Sequence, residues 1–191
     1  MELIQFIAAA GEWNKLRYSQ TFEPVLTLSL LQEELKEYYD AEVAIDAIDA
    51  TVDLAFVAAG AIWKSSYPLC EESLKSIIKF NEELQMQMAF HESIAGNIRS
   101  MIMMPGTYIA VGNLYQIIGA CYVHVCAILN SEALAKKAFE AIVVSNNTKT
   151  AKVIAISEKY SSEGKGQSYI PPTEALKLII AEAELNGQNL D

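Results

Sequence analysis

Apolar residues recur three and four positions apart along most of this chain, and almost no stretch alternates with a period of two. That spacing belongs to helices with one buried face, so the pattern predicts an all-α protein. Residues 2–16 read as a first amphipathic helix with Leu3, Ile4, Phe6, Ile7 and Leu16 turned inward. The chain turns around residues 21–24, and Thr27 or Ser29 is placed to cap the next helix. Leu28, Leu31, Leu35 and Tyr38 form the apolar side of that helix. A short joint near 40–45 leads into a third helix running to about Trp63.

Residues 70–104 read as one helix, with Leu74, Ile77, Ile78, Leu84 and Met88 in register and Pro105-Gly106 as its stop. An apolar helix fills 108–129, and Asn130-Ser131 caps another from 132 to about 144. From Ser145 the composition turns polar and rich in turn formers, which predicts an irregular segment before a last helix over about 173–185. The whole, residues 1–191, reads as a single domain without internal repeats.

Two acidic groups interrupt this pattern. Glu33, Glu34 and Glu37 lie beside the apolar side of the second helix, and Asp46, Asp49 and Asp53 form one stripe on the third. Residues three or four apart share a helix face, where like charges repel by roughly 0.2–0.5 kcal/mol per exposed pair. The bland explanation of the glutamates is a solvated face. It does not serve for Asp49 and Asp53, the only charges in A-I-D-A-T-V-D-L-A-F-V-A-A-G-A-I at 47–62. An ionised carboxylate in so apolar a segment must be paired or hold a cation. No Lys or Arg occurs between Lys36 and Lys64 to pair it locally. Carboxylates without a thiolate or imidazole partner suit Mg²⁺ or Mn²⁺ and not zinc. A di-iron site would need Glu-x-x-His on two helices, and neither His91 nor His124 follows a glutamate at that spacing. Both histidines read as structural.

A net charge of −10 excludes a general nucleic-acid or membrane-surface binder. Cys70, Cys121 and Cys126 have no C-x-x-C spacing and read as reduced residues of a cytoplasmic protein. The start lacks a basic region and makes a poor signal peptide. The 108–129 run, broken by Asn113, Gln116 and His124, reads as a core helix and not a membrane span. Against this acidic background, Asn146, Lys149, Lys152, Lys159 and Lys165 gather donors suited to phosphate oxygens in one segment. There is no P-loop or dinucleotide-binding glycine fingerprint.

E-E-L-K-E at 33–37 followed by D-A-T-V-D-L-A-F-V at 49–57 resembles the MazG-like, all-α nucleoside triphosphate pyrophosphatases. Glu34 and Glu37 match the first half of that family's acidic motif, and Asp53 its final aspartate. Ala50 stands where many members carry an acid, leaving Asp49 or another acid as the fourth ligand. S-N-N-T-K at 145–149 and K-G-Q-S-Y-I-P-P at 165–172 are similar to segments of phage and bacterial members. The resemblance covers 28–63 and 140–173 but not the middle of the chain. It implies a MazG-like helical bundle that hydrolyses a (deoxy)nucleoside triphosphate to the monophosphate and pyrophosphate in a phage or bacterial host cytoplasm. It further implies Mg²⁺ (or Mn²⁺) on Glu34, Glu37, Asp49 and Asp53, and Glu34 or Glu33 as the base. Asn146, Lys149, Lys165 and Tyr169 would bind substrate. Dimers or tetramers are expected from the resemblance and from the two runs, 52–62 and 108–129, that are apolar nearly all round. The base-selecting residues stay open among Trp13, Tyr169 and 64–137. The rival class is a non-enzymatic, metal-stabilised helical scaffold, which would need neither the Asn-Lys segment nor K-G-Q-S-Y-I-P-P.

Overall fold

The computed structural model describes residues 1–18, 20–67, 71–103, 107–149 and 166–187. Every regular element among them is a helix: α1 Leu3–Lys15, α2 Pro24–Asp40, α3 Ala44–Lys64, α4 Glu71–Gln85, α5 Phe90–Met103, α6 Thr107–Leu129, α7 Glu132–Thr148 and α8 Thr173–Leu185. α3 and α6 pack along one another as the axis; α1, α2, α7 and α8 lie against α3, and α4, α5 and α7 against α6. A helix that is apolar nearly all round must be covered on most sides, which explains why these two lie innermost. Ile48, Leu54 and Ile62 from α3 and Leu114, Ile117 and Ile118 from α6 are fully buried. Each such side chain stabilises the fold by about 1.5–3 kcal/mol relative to exposure. α6 holds Ile109–Leu129, long and apolar enough by composition to cross a membrane, yet 67% of that window is buried within the protein.

α1 crosses α3 where small residues permit it. A Cβ on Gly60 would stand 2.4 Å from Asn14 Nδ2. That buried amide is held in turn by the Ala10 carbonyl at 2.8 Å. Phe6 then sets its ring edge-on to Phe56 and Phe139, with centroids 5.9 and 4.8 Å away. α1, α3 and α7 are thereby fastened into one unit.

Four local expectations need correction. α2 starts at Pro24 with Glu23 as N-cap, not at Thr27 or Ser29; proline is preorganised for the first helical position and lacks the N–H that would be orphaned there. Leu16 is 69% exposed because α1 ends before it. The helix expected over 70–104 is two helices, α4 and α5, joined by a turn in which Gln87 and Met88 N–H groups donate to the Leu84 carbonyl. At about 100° per residue, the buried Leu74 and Phe90 would lie on nearly opposite faces of one continuous helix. Breaking the helix lets both face the core. Finally, α7 continues past Val144 to Thr148, so Asn146 belongs to a helical turn and not to a loop. The start of α7 is as expected, Ser131 Oγ accepting the Leu134 N–H at 3.3 Å.

Candidate metal and phosphate site

Residues 41–43 separate α2 from α3, and the two helices pack on each other. On α2 the three glutamates part company. Glu37 is exposed, Glu33 is half-buried, and Glu34 is only 4% exposed. The solvated-face explanation therefore fails for Glu34. On α3 the stripe is graded in the same way: Asp46 is exposed, whereas Asp49 and Asp53 are half-buried among apolar neighbours.

Asp49 records what this arrangement costs. Burial pushes its carboxyl up to about 7, and the charges of Asp53, Glu37 and Asp46 add to the rise while Lys149 opposes it. Carboxylates from α2 and α3 thus share one electrostatic environment, and a cation from α7 faces it. Among the described residues, no three Asp, Glu, His or Cys side chains are drawn into a ready metal-holding group. Mg²⁺ in phosphate-handling sites usually takes one or two carboxylates together with substrate oxygens and water. The hard donors and the excess negative charge around Asp49 fit such an ion.

The final turn of α7 faces the acidic stripe. Asn146 is 3% exposed, and its Nδ2 donates to Asp53 Oδ1 at 3.4 Å. Lys149 is the C-cap of α7, and its ammonium lies 5.7 Å from the centre of the Tyr169 ring. Residues 166–172, distant in sequence, are stitched onto this turn. Ser145 Oγ donates to the Ile170 carbonyl at 2.8 Å, and the Ile170 N–H donates to Thr148 Oγ1 at 2.8 Å. Ser168 Oγ donates to the Thr148 carbonyl at 3.2 Å. The S-N-N-T-K segment and the described part of K-G-Q-S-Y-I-P-P, residues 166–172, are therefore joined. Lys165, with Lys152 and Lys159, lies outside the described residues.

Two residues of α1's end adjoin this turn. Trp13 Nε1 donates to the Asn146 carbonyl at 2.7 Å. The Arg17 guanidinium stacks on Trp13, 4.2 Å from the ring centre, and its Nη2 donates to the Lys149 carbonyl at 3.0 Å. Burial lowers the Arg17 pKa, but guanidinium groups keep their charge in proteins. Arg17 was absent from the sequence-derived site. Its signal was the four-residue spacing from Trp13, which places a cation over an aromatic ring on a helical face. Trp13, weighed as a stacking surface for a base, instead has its ring covered by Arg17 and packed edge-on against Phe56 at 5.4 Å.

The histidines stand apart from this region. His124 lies against Phe90 with ring centroids 4.0 Å apart, and its Nε2 is 3.0 Å from the Tyr38 hydroxyl. Burial, helped by His91, pulls its pKa down to about 4, so it is neutral near pH 7. The neighbouring recess is shallow and is lined by Asn81, Gln85, Met88 and Phe90 among others. No substrate group is assigned to it.

Comparison with protein-family models, with curated proteins and with solved structures finds no match.

Proposed function

We propose that this protein is a Mg²⁺-dependent nucleoside triphosphate pyrophosphohydrolase, cleaving a (deoxy)nucleoside triphosphate and water into the monophosphate and pyrophosphate. The observation carrying this reading is the meeting of Asp49 and Asp53 with Asn146 and Lys149. Carboxylates suited to a hard cation and donors suited to phosphate face each other there. The MazG-like pattern at 33–57 and the 145–149 and 165–172 segments support it.

Carboxylates from the set Glu34, Glu37, Asp49 and Asp53 would hold Mg²⁺, or Mn²⁺ in its place, together with substrate oxygens and water. Bound there, the ion supplies neutralisation of phosphate charge and acidification of water. Asn146 Nδ2 and Lys149 Nζ donate to phosphate oxygens and stabilise the charge that develops on departing pyrophosphate. Glu34 or Glu33 accepts the proton of the attacking water, whose oxygen stays on phosphorus as the bond between the α- and β-phosphoryl groups breaks. Tyr169 keeps the Lys149 ammonium against an aromatic face.

Separation of products from a panel of deoxynucleoside and ribonucleoside triphosphates with Mg²⁺ tests this function. Monophosphate and pyrophosphate from at least one nucleotide is the expected result. Diphosphate with orthophosphate, or no turnover across the panel, would reject it.

A further inference from the structure

The cation-bearing turn of α7 is not held by α7 alone. A helix leaves its last four carbonyls without i+4 partners, and two carbonyls at this end accept from side chains in and just beyond the last turn of α1, the Asn146 carbonyl taking the Lys149 N–H at 3.1 Å as well. Trp13 Nε1 reaches the Asn146 carbonyl at 2.7 Å, and Arg17 Nη2 reaches the Lys149 carbonyl at 3.0 Å. Arg17 Nη1 also donates to the Trp13 carbonyl at 3.1 Å, and its plane covers the Trp13 ring. The guanidinium is therefore fixed in direction, with Arg17 6% exposed. A cation at a helix C-terminus is favoured by the helix dipole, and the fork geometry binds a carbonyl in a set orientation that an ammonium does not reproduce. Both carbonyls belong to the residues whose side chains meet the acidic stripe.

We infer that Arg17 and Trp13 are positioning residues for the phosphate arm: they hold the α7 C-terminus so that Asn146 and Lys149 face the carboxylates of α2 and α3. The inference rests on the nucleotide reading for its kinetic consequence, but its structural part stands separately. Neither residue touches substrate. Each acts through a backbone carbonyl, so its loss should resemble the loss of the side chains it places.

The test compares Arg17→Ala, Arg17→Lys, Trp13→Phe and Lys149→Ala with the double variant Arg17→Ala/Lys149→Ala. For each, KM and kcat of pyrophosphate release are measured with Mg²⁺. Arg17→Ala should raise KM on the order of tenfold, and Arg17→Lys should recover only part of that. The double variant should be no worse than Lys149→Ala alone, the non-additivity of residues acting in one unit. Strict additivity, or wild-type KM in Arg17→Ala, would overturn the inference. Backbone amide exchange at 146–149 supplies a readout independent of turnover. It should quicken about tenfold or more in Arg17→Lys and Trp13→Phe while α2 and α3 keep their protection. If wild type turns over no nucleotide, the proposed function fails, and this exchange pattern alone decides the positioning role. Unchanged exchange in both conservative variants would overturn it, and these two also decide the matter if Arg17→Ala fails to fold.

Discussion

Asn146 and Asp53, 93 positions apart, are joined by a 3.4 Å hydrogen bond in which the side-chain amide donates to the carboxylate. The amide occupies a lone pair without supplying a counter-charge. The acidic stripe of α3 is thus tied to the last turn of α7 without its negative charge being neutralised.

Asp49 sets a pH dependence. Its folded-state value of about 7 stands above the ordinary 3.8. Between those values the native state keeps a proton that the unfolded chain has released, so stability falls as pH rises, by up to about 1.4 kcal/mol per unit. His124 has the opposite sign. Its value of about 4 lies below the ordinary 6.5, so the unfolded chain binds the extra proton and stability rises with pH in that window. The two slopes oppose each other in the wild type. In chelator, the thermal-midpoint advantage of Asp49→Asn over wild type should grow from about pH 4 to about pH 7 and then level off. A difference independent of pH would contradict this account.

Lys149→Ala should weaken binding of Mg²⁺-tripolyphosphate by about tenfold, ~1.4 kcal/mol. Affinity for Mg²⁺ alone should not fall, since the lost group is a cation facing carboxylates. Calorimetry with each probe checks both halves. Equal loss for both would mean that the substitution had damaged the acidic helices.

Gly60→Ala tests the crossing of α1 over α3. On an open helix surface this change stabilises by roughly 0.5–1 kcal/mol. Here the new methyl meets Asn14 Nδ2 at 2.4 Å, an amide already bonded to Ala10. Destabilisation of about 1–3 kcal/mol is expected, with part recovered in Gly60→Ala/Asn14→Ala. Denaturant midpoints measure both, and a more stable single variant would contradict the packing described.

Much of this was legible from spacing alone. The apolar periodicity of α3, with two aspartates as the only charges over 47–62, marked a central helix, and those acids are half-buried. The split between α4 and α5 was hidden because no glycine or proline marks it; it arises from two apolar stripes out of phase, both facing the core. Arg17 was hidden for a related reason. Its long-range partner is the Lys149 backbone carbonyl, 132 positions away, and a carbonyl has no sequence signature.

Large apolar side chains stay exposed on the single chain, among them Val25 at 81%, Met86 at 81% and Met103 at 80%. We expect copies of the chain to cover part of this surface in a dimer or tetramer. Sedimentation at micromolar concentration should give a mass at least double the 21.0 kDa of one chain. A monomer mass would refute this.

Asp53 joins the acidic stripe to Asn146, and Asp53→Asn keeps its shape while removing its charge. The most direct measurement is pyrophosphate release with Mg²⁺ by wild type and Asp53→Asn, alongside thermal unfolding of both. The account predicts turnover by wild type and at least about a hundredfold less by the variant, with the variant folded and at least as stable in chelator. Full activity in a folded Asp53→Asn protein would contradict the central claim.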